Sequence, residues 1–416
     1  MNDKKGSDCC VSQKDNLLSY DEALQRILAH CQSQEKSEPL GLLSAVDRVL
    51  AEAVLSTINV PPHNNSAMDG YAARCQDIQE SGTELLLSQR ICAGQTADML
   101  APGTAARIFT GAPVPENADA VIMQEKCEAL ESSVRINQIP EPGQNIRLAG
   151  EDIRVDQEIL FKGQRLRAQE IGLAASVGCA QLNVFKKLKI ALLFTGDELT
   201  EPGQPLEPGK IYDSNRFVLT SLLHQLGCEV VDSGLVADTL EETKNALNKA
   251  AAQADLIISC GGVSVGEEDH VRIAMEQYGK LDLWRIAIKP GKPLAFGEIN
   301  SVPFFGLPGN PVSAFVTFLL FTIPYIKKMQ GQEKIMAQPM TITADFNWSK
   351  AGVRMEFVRA RLSNDNNQQA RANIFPHQGS GVLTSTSWAD GLIIIPIGKT
   401  IKKGDLVEYL SFKDFL

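Results

Sequence analysis

The chain has 416 residues, 44% hydrophobic and 22% charged, with a net charge of −10. At about 100 to 200 residues per domain that length predicts two to four domains. The acidic balance excludes a non-specific nucleic-acid binder, which needs a basic footprint, and no run of roughly 18 apolar residues stands out as a bilayer span, so neither nucleic acid nor membrane is an expected partner.

Residues 1–15 are polar and lack the basic start and apolar segment of a secretory signal, so a disordered tail and a cytoplasmic location are expected. Ser19-Tyr-Asp-Glu22 is a capping box, and Ala23, Leu24, Ile27, Leu28 and Cys31 then recur at helical spacing, which predicts a first helix ending before Pro39. A mixed apolar stretch over 42–55 stops at Pro61-Pro62. From there to about residue 147 short β-like runs (83–87, 106–109, 120–124 and 134–139) predict a small β-rich domain. A strand over 157–161 and a helix over 168–177 follow. If the segments flanking the β-rich run pack together, that run is an insertion.

From residue 188 strands alternate with helices. The run 188–194 reads as a strand buried on both faces. A helix over 215–226 stops at Gly227, a strand spans 229–236, and Asp238 or Thr239 can cap a helix over 240–252. Strands over 256–259, 284–288 and 303–305, with helices over 271–278 and from Pro311 through Phe321, complete a doubly wound parallel-sheet domain of about five strands. Asn310 can cap that last helix, and Leu320 and Phe321 look like core. Runs at 340–344, 356–362, 392–397 and 406–410 predict a closing β domain. The fold class is multidomain α/β plus β.

Every strand of the α/β domain exits into polar residues, on the edge where open α/β sheets bind ligands. Gly261, Gly262 and Gly266 let backbone N–H groups approach an oxyanion. The stiff turn Lys289-Pro-Gly-Lys-Pro293 displays Lys289 and Lys292 toward a small compact anion. Asp197, Glu198, Asp238 and Asp269 share this rim, where they would repel an anionic ligand unless a hard cation such as Mg²⁺ lies between. Gly-Gly and Pro-Gly are ordinary turn dipeptides, so one loop alone carries little, and the alignment of all these strand ends carries the reading. The nine cysteines show no zinc or disulfide framework, and Cys260 has no nearby His in sequence to activate it.

Asn65-Ser-Ala-Met-Asp-Gly-Tyr-Ala72, Thr110-Gly-Ala-Pro-Val-Pro115, Gly150-Glu-Asp-Ile153, Thr195-Gly-Asp-Glu-Leu199, Gly261-Gly-Val-Ser-Val-Gly266 with Asp269, Lys289-Pro-Gly-Lys-Pro293 and Gly306-Leu-Pro-Gly-Asn-Pro-Val-Ser313 occur in order. In that order and approximate spacing, from about residue 16 to the C-terminus, the chain resembles the MoeA family, to which the E domain of gephyrin is related. The resemblance implies an elongated linker and dimerisation domain (16–50 with 148–187), an inserted β-rich domain (51–147), a molybdopterin-binding α/β domain (188–331) and a small β-barrel-like domain (332–416). It implies a Mg²⁺-dependent homodimer that inserts molybdate into adenylylated molybdopterin and releases AMP. Contact with the molybdopterin adenylyltransferase and with molybdoenzyme maturation factors is also implied.

On the same resemblance, Asp197, Glu198, Asp238 and Asp269 organise the metal, the last three also being catalytic, while Asp69, Thr110 and Asp152 come from the partner subunit. Thr195, Gly196, Gly261, Gly262, Gly266, Pro293, Pro308 and Pro311 contact substrate. Lys289, Lys292, Ser264, Ser313, Arg359 and Ser380 hold molybdate, with Arg361 and Ser385 competing for the last two places. His63 and Asn64 stand where relatives carry Phe and Asp. A binding or scaffolding paralogue without catalysis, and a nucleotide pyrophosphatase or amidase of the CinA type, are the alternatives.

Overall fold

The computed structural model describes residues 17–262, 270–364 and 368–416, so the tail, and with it the expectation for residues 1–15, lies outside the described residues. The chain divides into two compact units. The first comprises the described residues up to Glu38, Asp47–Val49 and Phe185–Leu416, and the second Pro39–Val46 and Leu50–Val184.

The first unit is built on a six-stranded sheet in the order Glu229–Val236, Lys189–Thr195, Leu256–Cys260, Val302–Leu307, Pro293–Ile299, Gly279–Arg285. The first four strands pair in parallel. Pro293–Ile299 runs antiparallel to both of its neighbours, so the sheet is mixed. That strand lay hidden behind two prolines in the sequence reading, yet the reversal leaves the turn preceding it on the same edge as the parallel C-termini.

Strand alternation sends Ile190, Leu192 and Phe194 into one core, and Ala191 and Leu193 into a second. Tyr20–Ala29, Asn215–Gln225 and the helical run from Pro311 cover the first face, and Leu240–Gln253 and His270–Tyr278 cover the other. The Ser19 capping box forms as expected: Glu22 N–H donates to Ser19 Oγ at 3.2 Å and Ser19 N–H to Glu22 Oε2 at 3.1 Å. Its helix buries Ala23, Leu24 and Ile27 in the α/β core, while after it Gln34 Nε2 donates to Lys186 O at 2.8 Å. Thr239, the second of the two candidates, caps Leu240–Gln253. Asn310 occupies the N-cap position before Pro311 but makes no side-chain cap bond.

The helical run Pro311–Met329 is long and apolar enough to cross a membrane by length and composition, which the sequence reading had not noticed. It is 94% buried and serves as a core helix.

In the C-terminal region Met355–Asn364 pairs with both Ala370–Ile374 and Gly391–Ile395. The order then closes through Met340–Ala344 and Leu406–Ser411, giving the small barrel that was expected. Ile288–Lys289 adds in parallel to its rim at Met355 and Glu356.

In the second unit Leu50 bridges Val184, and Ala51 N–H donates to Asn183 O at 2.9 Å, so the chain before and after the β-rich run closes on itself. Ala45, Leu50, Leu160, Ile171 and Leu182 share one core. The run between them forms a separate six-stranded sheet with its own two cores, the arrangement of an insertion. Gly70 sits where a Cβ would collide with Ile122 O, which explains glycine beside Asp69.

Candidate functional site

A cleft of about 480 Å³ opens at the C-terminal edge of the α/β sheet. Thr195, Glu198, Gly261, Gly262, Pro293, Pro308 and Pro311 line it, so all but one of the expected strand ends meet there. The glycines are required by geometry. Gly261 and Gly262 have φ of 92° and 65°, and a Cβ on Gly262 would lie 2.7 Å from Val271 Cγ2 and 3.0 Å from Thr195 Oγ1. Gly196, with φ 144°, leaves room for the Glu198 carboxylate, which would stand 2.6 Å from an added Cβ.

The sequence reading missed one wall of the cleft, formed by Ile211, Tyr212, Asp213, Ser214 and Asn215. Asn215 Nδ2 donates to Gly309 O at 2.8 Å and to Cys260 Sγ at 3.1 Å, tying two ligand-facing turns together. The available signal was Asp-Ser-Asn opening a helix after a Pro/Gly-rich loop. Cys260 is buried, its thiol is pushed up to about 12 by burial, and it donates to Pro308 O at 3.4 Å. It is a packing residue, not a nucleophile.

Asp197 is exposed and Asp238 half-buried, and neither lines the cleft. Ser264, Gly266 and Asp269 lie outside the described residues. Among the described residues no three of His, Cys, Asp and Glu gather as a metal cage. Among the described residues Glu198 alone of the expected metal ligands reaches the cleft, a donor set that suits Mg²⁺ only when substrate phosphates complete the coordination.

The turn 289–293 is fixed from several sides. Ile286 N–H donates to Lys292 O at 2.8 Å, and Gly291 (φ 100°) packs so that a Cβ would strike the Thr317 hydroxyl. Lys289 Nζ pairs with Glu356 Oε2 at 2.8 Å, so this ammonium, expected to face an anion, already has a carboxylate partner on the barrel.

Arg359 has none among the described residues. It is 1% exposed, its Nε donates to Ser385 Oγ at 3.0 Å and an Nη to Gly379 O at 3.1 Å, and desolvation pulls its pKa down to about 10. Arg361 instead lies over the Trp388 ring at 4.7 Å, exposed. Ser385 spends its hydroxyl on Val382 O at 2.6 Å. Ser380 O accepts from Val312 N–H at 2.9 Å, which brings Ser380 to the start of the helix that carries buried Ser313. Of the competing pairs, Arg359 is buried and Arg361 exposed, and Ser380 rather than Ser385 bonds the helix start. Among the described residues Arg359 is thus a buried guanidinium bonded to a hydroxyl and a carbonyl and to no carboxylate.

In the second unit Thr110 N–H and hydroxyl both donate to Asp69 Oδ1, at 2.8 and 2.7 Å. These bonds hold the exposed Asp69 carboxyl below the usual carboxylate range. Asp69 therefore bonds across the sheet, not to its own hairpin. Asp152 lines a separate hollow with Asn65 and Arg147. Asn64 Oδ1 accepts from Ala149 N–H at 2.9 Å, a structural tie.

Known proteins match this chain over nearly its full length. Three family descriptions match in order: "MoeA N-terminal region (domain I and II)" over residues 18–178, "Probable molybdopterin binding domain" over 191–328, and "MoeA C-terminal region (domain IV)" over 341–412. A Haemophilus influenzae protein named molybdopterin molybdenumtransferase is 40% identical, covering 96% of this chain and 100% of its own. A Nostoc protein of the same name is 35% identical over 88% of this chain and 87% of its own. The crystal structure of a molybdopterin biosynthesis MoeA protein from Pyrococcus horikoshii superposes with a TM-score of 0.83 at 29% identity, covering 95% and 100% of the two chains. With three family regions matched in order and a 40% identical relative matched over its full length, the chain belongs to the MoeA family.

Proposed function

We propose that this protein is a molybdopterin molybdenumtransferase of molybdenum cofactor biosynthesis, taking adenylylated molybdopterin and molybdate and releasing AMP. The full-length relatives of that name support the reading, and buried, carboxylate-free Arg359 carries it. Molybdate is a small dianion, and a desolvated guanidinium gains most from such a ligand. Ser313 and Ser380 complete the proposed anion subsite, with Lys292 at its margin.

The Gly261-Gly262 turn takes the pyrophosphate, and Thr195 supplies a hydroxyl beside it. Mg²⁺ belongs to the proposal, held by Glu198 and Asp269 together with substrate phosphates, where it would neutralise charge on the pyrophosphate. The protein's own residues bind and orient the two substrates so that the dithiolene meets the metal oxyanion. A cytoplasmic homodimer, with Asp69, Thr110 and Asp152 serving the other copy's cleft, is part of the same proposal, as is delivery by the adenylyltransferase and onward transfer to maturation factors. Asn64 gives the scaffold alternative no support, because its oxygen serves the fold.

Equilibrium dialysis against molybdate tests the anion site. Arg359→Met is expected to lower affinity about tenfold or more, the cost of one charge-assisted partner. Affinity equal to the wild type would remove Arg359 from the site.

A further inference from the structure

Residues 211–213 combine two opposite kinds of surface in one cleft wall. Ile211 is 56% and Tyr212 45% exposed, an apolar pair left uncovered beside a polar turn. The Tyr212 ring is held in place, because its hydroxyl donates to Gln204 O at 3.0 Å and Ile211 N–H donates to Glu198 O at 2.8 Å. Asp213, by contrast, is 3% exposed. Its Oδ1 accepts from Arg216 N–H at 3.1 Å, while Oδ2 has no hydrogen-bond partner. The Arg216 guanidinium is already committed to Glu201 and Asp232. Burial pushes the Asp213 carboxyl above the usual range.

A buried acceptor without a donor is costly, and one beside a fixed aromatic face has the composition of a base-reading pocket. We propose that residues 211–213 form a subsite for an aminopyrimidinone ring, which lies on Tyr212 and Ile211 while its ring N–H and exocyclic amino group donate to the Asp213 carboxylate. A pterin has that edge, and guanine shares it. Adenine sets ring acceptors beside its amino group and offers no such donor pair. The inference rests on the reading of the cleft as a pterin site, and it assigns the pterin to this wall and the phosphates to the Gly261-Gly262 turn.

Isothermal titration of the full-length protein with 6-hydroxymethylpterin, guanosine and adenosine tests it, using wild type, Asp213→Asn and Tyr212→Ala. The wild type should prefer hydroxymethylpterin over adenosine about tenfold or more, and Asp213→Asn should lose most of that preference with adenosine unchanged. Tyr212→Ala should weaken all three ligands through lost stacking. Equal wild-type affinity for hydroxymethylpterin and adenosine, or a preference that survives Asp213→Asn, overturns the subsite. Guanosine binding about as well as the pterin supports the shared edge, whereas guanosine bound in clear preference removes the pterin assignment. If Asp213→Asn fails to fold, the wild-type series and Tyr212→Ala, altered at an exposed side chain, still decide. Pterin preference without molybdate-dependent AMP release would remove the transferase reading and leave the subsite. AMP release without pterin preference would remove the subsite alone.

Discussion

Three side chains with unusual surroundings define the chemistry at the residue scale, and each is read by what burial does to its charge. Arg359 keeps a positive charge in a desolvated place with hydroxyl and carbonyl partners, which is why the proposed anion subsite is centred on it. Asp69 is exposed and its two Thr110 donors favour the ionised form, so the carboxylate is the form it presents to solvent. Cys260 is the reverse case. Burial raises its thiol from the model-compound value of 9.0 to about 12, so the fold favours the neutral form. The stabilisation from that burial is complete below pH about 9 and is lost as pH climbs toward 12. Alkaline unfolding should therefore begin at higher pH in Cys260→Ala than in the wild type. At pH 8 native Cys260 should resist iodoacetamide while the unfolded chain reacts, and rapid labelling of the native protein at this residue would contradict the assignment.

Elements explain which parts of the site could be read from sequence. The capping box at Ser19, the strand at 188–194 and the Gly-Gly turn were legible because each rests on local rules: side-chain capping, hydrophobic period and positive φ. Where the helix at Tyr20–Ala29 packs was not legible, since an apolar stripe states that a face is buried but not against what. Likewise the Lys289 and Glu356 pair joins positions far apart in sequence, and nothing in the lysine turn announces a carboxylate partner on the barrel. The wall at 211–215 was overlooked because its side chains gain meaning only when Gly309 and Cys260 arrive beside them.

Two element-level outcomes follow from the packing. Ile27 is fully buried in the α/β core, so Ile27→Ala should cost about 3 kcal/mol in denaturant unfolding. A cost below about 1 kcal/mol would contradict that burial. Gly291→Ala meets both a φ of 100° and the Thr317 hydroxyl, and should cost about 2 kcal/mol while weakening molybdate binding through the displaced turn. Full stability in that variant would show that the turn is not held as described.

At the scale of the whole molecule, the order of domains, the mixed sheet with its ligand edge and the closed barrel together place this chain in the MoeA family. The α/β sheet brings a glycine turn, a carboxylate and a helix start to one edge, and the buried Arg359 sits on the barrel, outside the residues that line that cleft. Affinity for molybdate alone would fit a binding protein as well as a transferase, so the decisive property is coupling of the anion to nucleotide release. Purified full-length protein, given adenylylated molybdopterin and Mg²⁺, is expected to release AMP with molybdate and to fall to near background without it, while Arg359→Met releases about tenfold less or lower still at the same molybdate concentration. AMP release that is absent, or that proceeds equally well without molybdate, would contradict the account.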